Sequence, residues 1–98
     1  MKTVRFAGEE CTLRFSRYPN DRLAIRLMCS EGPMAVATVN LPDEMLDEGY
    51  VFIKTYSENE GMLEALVSAG IVEDTGMRVN TGYVTVPICK LLIDPCNV

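Results

Sequence analysis

Four carboxylates lie close together in one short segment of this 98-residue chain. They are Asp43, Glu44, Asp47 and Glu48. Hard cations such as Ca²⁺ bind oxygen ligands of this type, but the segment lacks the alternating Asp/Asn spacing and the central glycine of a calcium-binding loop. A solvated surface turn, with at most one helical turn, is therefore the favoured interpretation, and we expect no metal and no other cofactor.

The same carboxylates also suggest a binding surface. The net charge of −5 is unevenly distributed, because residues 1–30 hold six basic and three acidic side chains and residues 31–98 hold three basic and eleven acidic ones. A negative surface can occupy the basic groove of a protein that handles nucleic acid, as a run of phosphates does. The competing interpretation is that the charge only keeps the protein soluble.

Three arginines fall on the polar phase of two adjacent predicted strands. Arg14, Arg22 and Arg26 would form a stripe, and guanidinium groups bind phosphates bidentately. The aromatic residues that accompany basic ones in single-strand binders are missing, since the chain has no Trp. The overall acidity also argues against nucleic acid. Pairing with acidic residues or with a protein partner is therefore favoured over a nucleic-acid face.

The residue types and motifs of the common catalytic centres are missing. The chain has no histidine, which is the usual general base near neutral pH. It has no G-x-S-x-G nucleophile motif, no phosphate-binding loop and no dinucleotide-binding glycine motif. Perturbed carboxylates would be the one route to catalysis. We predict that the protein is not an enzyme.

The four cysteines are Cys11, Cys29, Cys89 and Cys96. No pair has C-x-x-C spacing, and no histidine can complete a mixed zinc site. In a reducing compartment, Cys11 and Cys29 are expected to act as small apolar core residues. A bridge between Cys89 and Cys96 would be an artefact of oxidation.

The alternation of polar and apolar residues predicts short strands at 3–6, 10–16, 22–28, 34–40, 50–55, 71–73 and 83–92. Short turns between consecutive strands favour antiparallel pairing. Pro87 lacks an amide donor, which predicts an edge strand or a bulge. The predicted fold is α+β: a curved antiparallel sheet of five to six strands with one helix packed on one face. A single domain over 1–93 and a C-terminal tail over 94–98 are expected.

Residues 57–70 carry the signals of a helix. Ser57 and Glu60 fit a capping box at its start, apolar residues recur at helical spacing from 62 to 69, and Gly70 followed by Ile71 fits a Schellman ending. Capping leaves other residues of this segment unexplained, and a glycine in the first turn suggests a close backbone approach.

We therefore predict a partner-binding surface that combines the acidic run with the segment before the helix. Its members are Asp43, Glu44, Asp47, Glu48, Tyr56, Glu58, Asn59, Gly61 and Glu64.

Several segments of the chain resemble a family of uncharacterised small proteins carried on conjugative elements, plasmids and phages of gut bacteria. The segments are 37–42, 51–54, 56–63 and 69–72, which read ATVNLP, VFIK, YSENEGML and AGIV. The likeness extends from about Val4 to Leu92, and the YSENEG run is its most distinctive part. The resemblance implies an accessory gene on mobile DNA and transfers no functional residue.

Three functions remain open at this point. The first is a small acidic binding protein of a mobile element, such as an inhibitor of a host defence nuclease of the anti-CRISPR or anti-restriction type. The second is a nucleic-acid-binding accessory of plasmid transfer or replication that uses the arginine stripe. The third is a structural homodimer joined through an edge strand. No signal peptide or membrane-spanning run is recognisable, so a cytoplasmic location and no membrane partner are expected.

Overall fold

The computed structural model describes residues 3–95. Four strands form one antiparallel sheet in the order β1-β2-β3-β4: β1 Thr3–Phe6, β2 Glu9–Arg17, β3 Leu23–Cys29 and β4 Gly32–Val36. Three more strands form a second sheet in the order β5-β7-β6: β5 Tyr50–Phe52, β6 Val72–Asn80 and β7 Thr85–Leu91. A 3₁₀ turn at Ser57–Asn59 and the helix α1, Met62–Ser68, lie between β5 and β6.

The prediction of an α+β fold with antiparallel strands and one helix is confirmed, but the prediction of a single curved sheet of five to six strands is wrong. The two sheets meet at one isolated bridge between Thr38 and Ile53. Ile53 donates its amide hydrogen to the carbonyl of Pro87 at 3.1 Å. Pro87 has no amide hydrogen to return, so the ladder between β5 and β7 ends there. Lys54 then donates its amide hydrogen at 2.8 Å to the carbonyl of Ala37, the residue that follows β4 of the first sheet.

Pro87 itself lies in the central strand of its sheet, which corrects the edge-strand alternative predicted for it. The carbonyl of Pro87 points toward Ile53, just after β5. The nitrogen of Pro87, which has no hydrogen to donate, points to the same side, so no hydrogen bond to β6 is lost. A register shift in β6 lies beside it, between Asp74 and Arg78. Residues 74–78 therefore form a bulge inside one long β6–β7 hairpin, and Gly76 adopts a positive φ of 83° there.

Both sheets and the helix share one core. The polar–apolar alternation predicted for β2 and β3 matches their burial, with Cys11, Ile25 and Leu27 each 0% exposed. Leu66 of α1 is also fully buried, and the helix contacts β1 and β6. The helix therefore packs beside β1 and β6, which are edge strands of the two sheets.

The predicted Schellman ending of α1 is confirmed. Gly70 donates to the carbonyl of Val67 at 3.0 Å and Ile71 donates to the carbonyl of Leu66 at 3.0 Å, which is the bond pair of that motif. Gly70 has φ of 73°, the left-handed region that glycine adopts without strain.

No helix in the described part of the chain has the length and apolar character to cross a membrane. Of the predicted tail over 94–98, residues 96–98, including Cys96, lie outside the described residues.

Candidate functional site

The acidic run lies in the segment 41–49, which we call the acidic loop, and Arg22 holds its backbone in place. The Nη1 atom of Arg22 donates to the carbonyl of Leu41 at 2.6 Å, and its Nη2 atom donates to the carbonyl of Glu44. The same guanidinium lies over the ring of Phe52, 5.7 Å from its centroid. Arg22 is therefore a structural anchor, and the prediction that it belongs to a free arginine stripe is corrected.

Further backbone bonds fix the ends of the acidic loop. The amide of Glu44 donates to Leu41 at 3.0 Å, and the amide of Tyr50 donates to Asp47 at 3.2 Å. Gly49 accepts a bond from Leu91 of β7 at 2.8 Å. These contacts form turns without a helical turn, so that alternative for residues 43–48 is wrong.

The acidic loop presents its side chains to solvent. Asp43, Glu44, Asp47 and Glu48 are all exposed, and none forms an ion pair with a residue in the range 3–95. Met45 projects between them and is 91% exposed. The sequence analysis missed the exposure of Met45 and the anchoring role of Arg22. The available signals were a methionine among four carboxylates and an arginine directly before β3.

An open groove with a volume of about 500 Å³ runs beside the acidic loop. Its walls come from the β2–β3 turn, the acidic loop and the end of β7, and include Arg17, Asp21, Leu46, Glu48, Tyr50 and Leu91. Arg17 already donates to the carbonyl of Asp21 at 3.1 Å. Asp21, Asp47 and Glu48 give the groove lining three carboxylates, and Arg17 and Arg22 give it two guanidinium groups, so the lining has a net charge of −1.

The segment before the helix differs from its prediction. The helix begins at Met62, and its N-cap is Gly61, with no side-chain capping bond. Ser57 instead opens the 3₁₀ turn with a φ of 57°, so the predicted capping box is wrong. The close approach expected at Gly61 is also wrong, because a Cβ added there would meet nothing within 4 Å. Its φ of 90° is the reason for glycine.

Asn59 is buried, with 0% exposure, and therefore does not belong to an exposed contact surface. Its Nδ2 atom donates to the carbonyl of Val36 in β4 at 2.6 Å, which ties the 3₁₀ turn to the first sheet. Its Oδ1 atom has no hydrogen-bond partner among the described residues. The side chain has a structural role that its sequence neighbours do not reveal.

Tyr56 and Glu58 form a small cluster around Lys54. The Nζ atom of Lys54 lies 2.8 Å from a Glu58 carboxylate oxygen and 5.5 Å from the centroid of the Tyr56 ring. The hydrogen bond from Lys54 lowers the pKa of the Glu58 carboxyl below its usual value, and the same bond raises the pKa of Lys54. Glu64 is exposed on the helix.

The residues predicted as one partner surface fall into two places. The acidic loop precedes β5, and Tyr56, Glu58 and Glu64 follow it. Extended backbone rises about 3.3 Å per residue, so the path from Gly49 to Thr55 covers at most about 20 Å. The acidic loop is the more concentrated of the two and has the anchored backbone, which makes it the candidate site.

Two of the three predicted stripe arginines do come together. Arg14 of β2 lies directly opposite Arg26 of β3, both are exposed, and neither forms an ion pair within the described residues. Like charges directly opposite each other in an antiparallel pair are destabilising. This pair of guanidinium groups is a second charged surface on the outer face of the first sheet.

Within residues 3–95, no group of three or more His, Cys, Asp or Glu side chains is placed to hold a metal ion. Comparisons with protein-family models, with curated proteins and with solved structures find no match for this chain. The geometry of its own residues is therefore the basis for assigning a function.

Proposed function

We propose that this protein is a non-enzymatic binding protein whose acidic loop docks on a basic surface of a protein partner. The observation that carries the proposal is the anchoring of the loop backbone by Arg22, while its four carboxylates are exposed and form no ion pair with any residue from 3 to 95. In the mobile-element context implied by the sequence resemblance, the partner is a nucleic-acid-handling defence protein of the host, and binding inhibits it.

Anchoring matters because binding must otherwise order the loop. Fixing one flexible residue costs about 1–2 kcal/mol of backbone entropy, so a loop held in advance retains more of its interaction energy for the complex. The exposed carboxylates supply long-range attraction to a basic surface and accelerate association. The exposed thioether of Met45 adds a flexible apolar contact in their midst.

The test uses a variant that neutralises the acidic loop without changing its size. Its substitutions are Asp43→Asn, Glu44→Gln, Asp47→Asn and Glu48→Gln. A matched control removes four exposed carboxylates elsewhere: Glu9→Gln, Glu31→Gln, Glu60→Gln and Glu73→Gln. Both variants lose four negative charges. A difference between them therefore reports on where the charges lie and not on the net charge of the protein.

Each protein is used to capture partners from a panel of purified defence nucleases, and each is expressed in cells challenged with phage or plasmid. We expect the wild type and the control to bind and protect, the loop variant to do neither, and binding to weaken as salt rises. Equal loss in both variants would show that net charge alone matters. Failure of the wild type to protect against any system would overturn the inhibitor assignment.

A second candidate function is favoured by the facing pair Arg14 and Arg26. Two guanidinium groups at cross-strand distance can bind one phosphate or two adjacent phosphates of a nucleic acid. Binding to DNA or RNA at low salt that falls steeply with salt, and that is lost in an Arg14→Gln/Arg26→Gln variant, would support it. Arg5→Gln is the control, because Arg5 lies opposite Glu10. No binding at low salt would remove this candidate.

A further inference from the structure

Two cysteines lie one position beyond the last pair of the hairpin formed by β2 and β3. That last pair is Thr12 opposite Met28, and the same register continued by one position sets Cys11 opposite Cys29. Cys11 is fully buried, whereas Cys29 is partly buried and packs against the core. Both thiols are free in the structure.

The type of cross-strand pair follows from the hydrogen bonds of Ile25. Its amide donates to the hydroxyl of Thr38 at 3.2 Å and its carbonyl accepts from Ala37 at 2.8 Å, so both groups point away from β2. Backbone direction alternates along a strand, and Cys29 lies four residues after Ile25. Cys29 therefore also points its backbone groups away from β2, and pairs on that other side with Gly32.

Cys11 and Cys29 consequently occupy a non-hydrogen-bonded pair. The Cα atoms of such a pair lie about 4.5 Å apart with their side chains close together. Disulfides form at Cα separations of about 4.4–6.8 Å. On this register the two Cα atoms lie within the range of separations that a disulfide spans.

The electrostatics agree with this proximity. Burial raises the pKa of the Cys11 thiol, and the neighbouring Cys29 thiolate raises it further. Cys89 provides the contrast: it lies opposite Asp74 rather than a cysteine, and burial raises its pKa to about 12. Among the described cysteines, Cys11 and Cys29 therefore form the pair with the geometry for a bond.

We propose that Cys11 and Cys29 form a thiol–disulfide modification site that a small-molecule disulfide such as oxidised glutathione converts into a cross-strand bond. The Cys29 thiolate, the more accessible of the two, attacks a glutathione sulfur and releases one glutathione. The Cys11 thiolate then attacks the Cys29 sulfur and releases the second. The two thiol protons leave with the two glutathiones, and the electron pair lost by the cysteines reduces the oxidant.

The bond would tie β2 to β3 next to the turn into β4 and would hold the register that sets Arg14 opposite Arg26. Cross-linking also restricts the unfolded chain, which stabilises the folded state. The oxidised protein should therefore unfold at a higher denaturant concentration than the reduced protein.

Tryptic mapping tests this proposal directly, because basic residues separate all four cysteines. Cleavage places Cys11 in peptide 6–14, Cys29 in 27–54, Cys89 in 79–90 and Cys96 in 91–98. The folded full-length protein is incubated with oxidised glutathione, quenched with acid and digested without reduction. A parallel sample is oxidised in denaturant, where cysteine pairing no longer reflects the fold.

We expect the native sample to yield a linked 6–14/27–54 species, lighter than the two free peptides by two hydrogen atoms, and an upward shift of the unfolding midpoint that reductant reverses. The species should persist in Cys96→Ser and vanish in Cys29→Ser. The proposal is overturned if Cys29 only accumulates a glutathione adduct, if peptide 27–54 links chiefly to 91–98, or if the linked species forms only in denaturant. The tryptic map of the oxidised wild-type protein tests the Cys11–Cys29 bond even if a cysteine variant does not fold.

Discussion

Replacing Arg22 with methionine removes the anchor of the acidic loop while keeping much of the side-chain length. The substitution deletes two hydrogen bonds from a charged donor to the carbonyls of Leu41 and Glu44, and the contact with the Phe52 ring. Hydrogen bonds to charged groups contribute about 1.5–3 kcal/mol each, and a partly exposed cation–π contact contributes about 0.5–1 kcal/mol.

Water can replace part of these contacts, because Arg22 is only half-buried and the loop carbonyls lie near the surface. We therefore expect Arg22→Met to lower the free energy of unfolding by about 2 kcal/mol, less than the sum of the single contributions. For a domain of this size, that corresponds to a decrease in the melting temperature of roughly 10 °C.

Two measurements check this expectation. Urea denaturation gives the change in the free energy of unfolding, and hydrogen exchange reports on the amides of Glu44 and Tyr50, which bond within the acidic loop. In Arg22→Met, hydrogen exchange at the amides of Glu44 and Tyr50 should accelerate by more than the decrease in the free energy of unfolding accounts for. The control is Arg17→Met, because Arg17 is exposed and donates one bond to a turn carbonyl. Equal unfolding midpoints for the two variants, with unchanged exchange in the loop, would refute the anchoring role.

Three further predictions concern other parts of the fold. Asn59→Ala should cost about 2 kcal/mol in urea denaturation, because it removes a buried bond to Val36; a loss under about 0.5 kcal/mol would contradict this role. Gly61→Ala should cost about 1–2 kcal/mol through strain at its φ of 90°, and an unchanged melting temperature would show that the helix starts differently. The Arg78 bond lowers the pKa of Asp74 from 3.8 to about 2, so its stabilisation is present above about pH 4 and is lost as pH falls toward 2. Solvent screening limits this effect to under about 1 kcal/mol, and Asp74→Asn should abolish that part of the acid dependence; an identical acid profile in the variant would contradict it.

Local signals predicted the first three strands and the end of the helix. Successive side chains of a strand point to opposite faces of the sheet. The alternation of apolar and polar residues in β2 and β3 therefore indicates which side chains face the core. The Schellman ending likewise depends on Gly70 and Ile71, which directly follow the last turn. These features could be read from the sequence because their determinants lie within a few positions of each other.

Non-local contacts account for the failures. The S-x-x-E pattern at Ser57 matched a capping box, but residues 57–59 form a 3₁₀ turn instead. The side chain of Asn59 bonds from this turn to Val36, 23 residues earlier in the chain. The division into two sheets depends on Pro87 meeting Ile53, which no local pattern encodes. Sheet register and loop packing decide such contacts, and single-sequence periodicity carries no information on them.

The candidate site also combines features that the local sequence predicts with features that depend on distant contacts. The carboxylates of residues 43–48 and their exposure could be predicted from composition. The anchoring by Arg22 could not, because its partners lie 19 and 22 positions along the chain. The facing pairs Arg14/Arg26 and Cys11/Cys29 likewise became visible only with the register of β2 and β3.

The most direct test of the acidic loop as the partner-binding element is hydrogen exchange of the full-length protein, free and bound to the partner captured from the nuclease panel. We expect protection on binding to concentrate in the amides of residues 43–50 and to leave the β2–β3 hairpin unchanged. Protection of the outer face around Arg14 and Arg26, with no change in the acidic loop, would contradict it.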